Sequence, residues 1–317
     1  MKKELISLII PCFNEEEMIP IFYKEVDKVS KKMDTNFEFI FIDDGSTDKT
    51  LSIIKGLRKK DDRVKYISFS KNFGKEAGML AGLNKSIGDY VAILDVDLQD
   101  PPEMLIDMYK VLTKEDYDVA AIYSIGHEDY SLIRKVGTKI WYKLISKLTG
   151  NSERPGTRDY RLMKRKVVDS ILSLKEKNRY TRGIYSYVGY KIKWIPLKTP
   201  DRVDGTSKFT LKVLFKYSIQ AITSTTTKPL LLSLYLGLIL FLVSFISLIV
   251  LIVKLCTKKV IINTLILFLL TLTISLQFIF IGIIGLYVSK IYTETKDRPI
   301  YIIGEENDWY KYNSTYL

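Results

Sequence analysis

Apolar residues fall in short runs along the first part of the chain. The runs are 5–10, 37–42, 64–69, 90–94 and 117–122. Each is of strand length and, where it is apolar throughout, reads as a strand buried on both faces. Between them the pattern changes period. Segment 15–32 carries apolar residues at helical spacing, another helix follows Ser46, and 74–86 reads as a third. Strands alternating with helices of this length predict an α/β fold with a mostly parallel sheet. Sheets of that kind bind ligands beyond the carboxyl ends of their strands. Polar clusters stand at those ends: 12–15 after the first strand, 43–48 after the second and 95–100 after the fourth. Segments 154–156 and 198–205 read as loops, and no internal repeat is present.

The second part of the chain has a different pattern. Residues 229–253 and 260–289 carry no charge. The first would extend about 37 Å as a helix, more than the roughly 30 Å of a bilayer's hydrocarbon core. The linker 254–259 is too short to be a domain, so the runs predict a transmembrane hairpin with both chain ends on one side. Its three lysines, Lys254, Lys258 and Lys259, oppose seven basic residues outside: Lys208, Lys212, Lys216, Lys228, Lys290, Lys296 and Arg298. That balance places the large domain on the cytoplasmic side. Segment 131–148 alternates apolar and basic positions with a helical period; it suits a membrane surface or the flank of the domain core equally. Segment 209–222 is similar and leads into the first apolar run. The expected organisation is a cytoplasmic domain 1–204, a juxtamembrane amphipathic helix 205–228, a hairpin 229–289 and a cytoplasmic tail 290–317.

Composition changes this picture in three ways. The 317 residues include one histidine, His127, which reads as an exposed loop residue, and two cysteines, Cys12 and Cys256, in unlike settings. No His/Cys zinc site and no disulfide framework follow, so a metal would need oxygen ligands, as Mg²⁺, Mn²⁺ and Ca²⁺ do. The net charge of +12 comes without a nucleic-acid recognition motif, and much of it lies in the segments read as membrane-facing. The run 5–10 is too short for a signal peptide and meets Pro11 and three glutamates.

The chemistry concentrates in the polar clusters. In 95–100, Asp95, Asp97 and Asp100 follow a buried strand, and alternation sends Asp95 and Asp97 to one side. Carboxylates that close repel unless a cation intervenes. A solvated acid cluster, with Asp100 as a helix cap, is the plainer alternative. In 43–48, Ser46 or Thr47 is placed to cap the next helix, and Asp44 to accept hydrogen bonds from a ribose or a uracil N–H.

In order, Ile10 to Glu16, Asp43-Asp44-Gly45-Ser46, Asn72-Phe73-Gly74-Lys75-Glu76 and Asp95 to Asp100 resemble family 2 glycosyltransferases of GT-A fold. Gly156 to Met163, Asn178 to Gly183, Val188-Gly189-Tyr190 and Arg202 to Phe209 are similar to the polyprenyl-phosphate subgroup, and the apolar hairpin fits it. The resemblance implies that Pro11, Phe13, Asn14, Glu15, Asp44 and Asp95 line a nucleotide pocket. It implies that Asp97 holds Mg²⁺ or Mn²⁺, that Gln99 and Asp100 face the sugar, and that Asp159 stands near the reacting centre. Arg161, Arg202, Ser207 and Lys208 would meet the phosphates. The implied reaction moves one sugar, glucose or N-acetylglucosamine, from a UDP-sugar to undecaprenyl phosphate with inversion at the bacterial cytoplasmic membrane. A homo-oligomer, a flippase and a downstream membrane glycosyltransferase are the implied partners, beyond the bilayer itself.

Bland roles compete at several positions. Asp159 could pair with Arg158 or Arg161, Arg202 and Lys208 could be solvated charge, and Arg179 and Arg182 helix-surface charge. Lys75 and Glu76 fit a structural role as well as a substrate contact. No tryptophan follows an arginine, which argues against a processive polysaccharide synthase. The rival readings are a catalytically silent sugar-nucleotide-binding membrane protein and transfer to another lipid acceptor.

Overall fold

The computed structural model describes residues 3–125, 156–177, 179–198, 246 and 262–307. They fall into two compact units, one of residues up to 198 together with 299–307, the other including 262–298.

The first unit is an α/β layer structure around one sheet. Its strands are β1 (Leu5–Cys12), β2 (Asn36–Asp43), β3 (Val64–Phe69), β4 (Tyr90–Ile93), β5 (Val119–Ile125), β6 (Thr157–Lys164), β7 (Ile192–Lys198) and β8 (Ile303–Glu306). Helices α1 (Met18–Lys32), α2 (Thr50–Arg58), α3 (Lys75–Lys85), α4 (Met104–Lys114), α5 (Arg165–Ser173) and α6 (Thr181–Tyr187) connect and cover them. The spatial order is β7-β5-β6-β4-β1-β2-β3-β8.

Alternation along β1 divides the core. Ile6, Leu8 and Ile10 pack on one face with Phe22 and Val26 of α1 and Leu105 and Met108 of α4. Ile9 packs on the other with Ala77 and Ala81 of α3 and Val167 and Ile171 of α5. Helix α3 approaches β1 closely at Gly82, where an added Cβ would lie 2.2 Å from the Ile9 side chain.

The expected mostly parallel sheet is a mixed one. β1, β2, β3 and β4 pair in parallel, as do β5 and β7. β6 enters antiparallel between β4 and β5, and β8 pairs antiparallel with β3. The insertion of β6 sets up the site. Its ladder with β4 pairs Ile93 with Arg161; carried two residues further, the same register faces Asp159 towards Asp95.

The second unit holds helix α7, whose backbone runs Ile262–Thr295 over 34 residues. Its side chains are described without interruption only from Phe280. Among the described residues no helix is long and apolar enough to cross a membrane, so the C-terminal hairpin is not shown. Segment 229–253, apart from position 246, lies outside the described residues, as do 131–148 and 209–222. In the tail, the described part that belongs to the first unit is ordered against it. Ser70 donates its backbone N–H to Ile302 at 3.0 Å, and Tyr301 stacks on Phe69 at 5.0 Å between centroids.

Candidate active site

Three strand ends build the site, and the loop after β1 comes first. Phe13 is 45% exposed, and Asn14 adopts a left-handed φ of 54°. That turn lets residues 14–16 zip onto the loop after β2. Asn14 N–H donates to Ser46 Oγ at 2.9 Å, Glu15 N–H to Thr50 Oγ1 at 2.8 Å, and Thr47 N–H to Asn14 Oδ1 at 2.9 Å. The cap expected from Ser46 or Thr47 is not made: Lys49 stands at the N-cap without a side-chain cap. Asp48 Oδ1 accepts Thr50 N–H at 3.0 Å at the start of α2, while Ser46 and Thr47 are used in the zipper. Gly45 has a φ of 70°, and an added Cβ there would lie 2.4 Å from the Lys71 carbonyl carbon. Glycine is therefore required by both conformation and space.

Asp44 is buried at the end of β2. Its Oδ1 accepts Phe73 N–H at 2.6 Å and its Oδ2 accepts Gly74 N–H at 2.8 Å. Burial pushes its carboxyl up, against those two hydrogen bonds. Gly74, with a φ of 95°, turns the chain into α3.

The first two residues of α3 reach across to the far side of the sheet. Lys75 Nζ donates to Asp95 Oδ2 at 2.7 Å and to Asp159 Oδ2 at 3.0 Å. The two strand-end carboxylates that face each other are thus joined by one ammonium. Arg182 Nε donates to Asp159 Oδ1 at 3.2 Å. Burial would raise the Asp159 carboxyl, but the Lys75 and Arg182 charges and hydrogen bonds prevail and bring it down to about 2. The same two carboxylates push Lys75 up to about 12, against its own burial. Glu76 accepts Thr181 N–H at 3.2 Å and the Thr181 hydroxyl; burial raises its carboxyl.

After β4 the chain runs through Asp95, buried Val96 and exposed Asp97. Leu98 takes a left-handed φ of 55°, uncommon for a branched residue. The turn lets Asp97 Oδ1 accept Gln99 N–H at 3.1 Å, and Gln99 is exposed. Asp100 is not a helix cap. Helix α4 begins at Met104, and Asp100 Oδ1 is bound at 2.6 Å by Arg158 Nη1, whose Nε donates to Ser124 Oγ at 3.0 Å.

Pro11, Phe13, Asn14, Glu15 and Asp44 come together at the ends of β1 and β2, and Asp95, Asp97, Gln99, Asp100 and Asp159 at the ends of β4 and the start of β6. Arg161 stands apart from them. Its side chain is 1% exposed, with the guanidinium 4.1 Å above the Tyr185 ring and 5.5 Å from the Trp194 ring. Such burial takes it off the surface a substrate phosphate would reach. Arg179, also buried, donates Nη1 to the Leu174 carbonyl at 2.8 Å beyond the end of α5, a helix-terminal role. Arg202, Ser207 and Lys208 lie outside the described residues. From sequence, Lys75 and Glu76 read as structural or substrate-contacting, Arg182 as helix-surface charge and Arg158 as a partner of Asp159, and Thr181 is unassigned; Asp159 is instead held by Lys75 and Arg182, and Arg158 binds Asp100. Lys75, Glu76, Thr181 and Arg182 fall in the motifs 72–76 and 178–183, but their partners are distant in sequence.

The donors around Asp97 suit a hard cation. Among the described residues no cluster of three or more His, Cys, Asp or Glu side chains forms a ready metal cage. Mg²⁺ is commonly held by one or two carboxylates and completed by substrate phosphate and water. Exposed Asp97, with Asp95 two residues away, fits that mode.

Residues 7–172 match the glycosyl transferase family 2 domain, over β1 to α5. The chain belongs to that family. It is 38% identical over 310 residues to the putative glycosyltransferase CsbB of Bacillus subtilis strain 168, covering 97% of this chain and 93% of that protein. It is also 38% identical over 313 residues to the bactoprenol glucosyl transferase of Shigella phage SfV, covering 95% and 98%. A glucosyl-3-phosphoglycerate synthase from Mycobacterium tuberculosis, solved with Mn²⁺, UDP and glucosyl-3-phosphoglycerate, is 19% identical. That comparison covers 69% of this chain and 78% of that one with a TM-score of 0.46. Within this glycosyltransferase, the family 2 domain contains Asp95, Asp97 and Asp159. Thr181 and Arg182 lie just beyond its end.

Proposed function

We propose that this glycosyltransferase moves one glucose from UDP-glucose to polyprenyl phosphate at a membrane surface, with inversion at the anomeric carbon. The observation that carries the reading is the state of Asp159. Both of its oxygens are engaged by cations, and its carboxyl is held at about 2. A carboxylate so weakly basic is a poor proton acceptor near neutral pH. An acceptor hydroxyl would need such a base; a phosphate monoester, with a second pKa of about 6, is already ionised. The names of the bactoprenol relatives support the lipid and the sugar.

In this reaction an acceptor phosphate oxygen attacks the anomeric carbon. The bond from that carbon to the UDP oxygen breaks, and an α-linked donor gives a β-linked lipid phosphate. Pro11, Phe13, Asn14, Glu15, Asp44 and Asp95 would face the nucleotide. Gln99 and Asp100 would face the sugar, and Asp159 would orient the reacting groups without taking a proton. Arg202, Ser207 and Lys208 would hold the acceptor phosphate. A divalent ion, Mg²⁺ or Mn²⁺, held chiefly by Asp97, would supply Lewis-acid stabilisation to the leaving diphosphate. Lys75 and Arg182 add fixed positive charge where two anions must meet.

Attachment through the hairpin 229–289, with the catalytic unit on the cytoplasmic face, belongs to the same proposal. Its support is the uncharged stretch from Ile262 to Ser289 in α7 and the exposure along it of Leu270, Ile274, Ile281, Ile284 and Val288. Self-association and hand-over to a flippase and a further transferase complete the reading.

The test uses purified full-length protein with Mg²⁺ or Mn²⁺, radiolabelled UDP-glucose and UDP-N-acetylglucosamine, and either undecaprenyl phosphate or diacylglycerol. Glucosyl lipid phosphate, identified by mass spectrometry, is the expected product. No lipid product from either donor, or transfer to diacylglycerol in its place, would overturn the proposal.

A further inference from the structure

The segment Phe73-Gly74-Lys75-Glu76 engages a different partner with each residue. Phe73 and Gly74 give their N–H groups to Asp44. Lys75 reaches Asp95 and Asp159. Glu76 takes the backbone N–H and the hydroxyl of Thr181. The residue after Thr181 is Arg182, which donates to the other oxygen of Asp159. Two adjacent residues that open α3 and two adjacent residues that open α6 therefore close a ring through Asp159: Lys75, Asp159, Arg182, Thr181, Glu76 and back to Lys75.

The ring has a division of labour. Lys75 and Arg182 touch the carboxylate; Glu76 and Thr181 do not. Arg182 has a long, flexible side chain whose hold on Asp159 depends on where α6 begins. Thr181 fixes that start, and Glu76 fixes Thr181. Glu76 Oε2 accepts both donors of one residue, a geometry in which sliding α6 by one position would break both contacts together. Breaking them would also leave a partly buried carboxylate without its hydrogen bonds.

We propose that Glu76 is a positioning residue for turnover: through Thr181 it seats α6 so that Arg182, with Lys75, locks Asp159 in its reacting orientation. This rests on the glycosyl transfer proposed above, and its tests separate the two. The seating itself is read without substrate. Hydrogen exchange in full-length Glu76→Ala should rise across 181–187 while β1, β2 and α1 keep wild-type protection. Glu76→Gln, which retains a carbonyl acceptor, should restore protection. In the lipid-transfer assay, Glu76→Ala should lower kcat by about 10- to 100-fold with the KM for UDP-glucose within about threefold. Glu76→Gln should recover most of that loss. Arg182→Ala should give a similar fall, and the double variant should be no worse than the poorer single one, because both act through one orientation.

Unchanged exchange at 181–187 in Glu76→Ala would overturn the proposal. So would multiplicative losses in the double variant, or a KM rise with kcat intact. A wild-type protein that glucosylates no lipid, yet shows the expected exchange pattern, would remove the proposed substrates and leave the seating standing.

Discussion

Asp159 shows how neighbours override burial at a single residue. Removed from water, its carboxyl would ordinarily titrate higher, yet Lys75 and Arg182 draw it to about 2. A carboxyl whose folded pKa lies below its unfolded value contributes stability in full above the unfolded pKa, here about pH 4, and loses it as pH falls towards about 2. Lys75, pushed to about 12, contributes in full below about pH 10.5 and loses it as pH rises through 12. The pair is therefore charged throughout the range in which an enzyme would be assayed. The expectation follows that Asp159 produces no limb in the pH profile of kcat/KM between about pH 5 and 9. Asp159→Asn should lower the whole profile by about 100-fold or more without changing its shape, and UDP binding by calorimetry should stay within about threefold. A profile that loses an acidic limb in the variant would instead make Asp159 the base. Asp97→Asn differs in kind. It should weaken metal binding, measured as a rise in the Mn²⁺ or Mg²⁺ concentration that half-saturates turnover, while leaving the Lys75–Asp159 contact in place.

The elements differ in how openly the sequence declares them. β1 to β5 were legible because their runs are mainly apolar and mostly buried, with β1 covered from Ile6 to Ile10. The later strands hide behind charge. β6 reads Thr-Arg-Asp-Tyr-Arg-Leu-Met-Lys, and the aromatic faces of Tyr185 and Trp194 lie against the interior Arg161. β7 carries Lys193, Pro196 and Lys198 and survives as a strand because it lies at the sheet edge, where proline is tolerated. β8 is four residues long, too short for a periodicity. The carboxylates of the site were legible from their place after strands. Their cations were not, because Lys75 lies 84 residues from Asp159 in the chain, a closure made only once α3 packs on β1 and β2 and β6 pairs beside β4. The tail strand offers a test of its own. Lys55–Glu305 and Lys85–Glu306 are partly exposed ion pairs, a class that contributes about 0–1 kcal/mol. Tyr301 is stacked on buried Phe69, and removing an aromatic of that kind costs about 2–3 kcal/mol. Tyr301→Ala should therefore lower the Tm by several degrees, and the Glu305→Gln, Glu306→Gln pair by much less. The reverse order would make charge, not packing, the force that docks β8.

At the scale of the whole molecule, the question is what kind of surface a +12 chain presents and to what. A positive charge alone would bring the protein to an anionic membrane, and such attraction weakens with salt because the screening length falls from about 8 Å at physiological strength to about 3 Å at 1 M. The proposed hairpin would be a stronger attachment, and the second half of its sequence runs through helix α7. From Ile262 to Ser289 it has no charge, and exposed Leu270, Leu272, Ile281, Leu286 and Val288 occupy several of its sides. A helix apolar on all sides belongs in a core or a bilayer. The two attachments predict different fractionation. If 229–289 inserts as a hairpin, full-length protein stays with the membrane pellet in 1 M salt and in alkaline carbonate, and a variant lacking 229–289 leaves it. If the positive surface alone holds the protein, 1 M salt releases the full-length chain and the hairpin assignment fails. The distinction reaches the chemistry, because an inserted hairpin would keep the ends of β4 and β6 on the same molecule as the lipid-facing anchor at every turnover. A salt-released protein would have to find its polyprenyl phosphate anew, and its turnover would fall with ionic strength in step with its binding to vesicles.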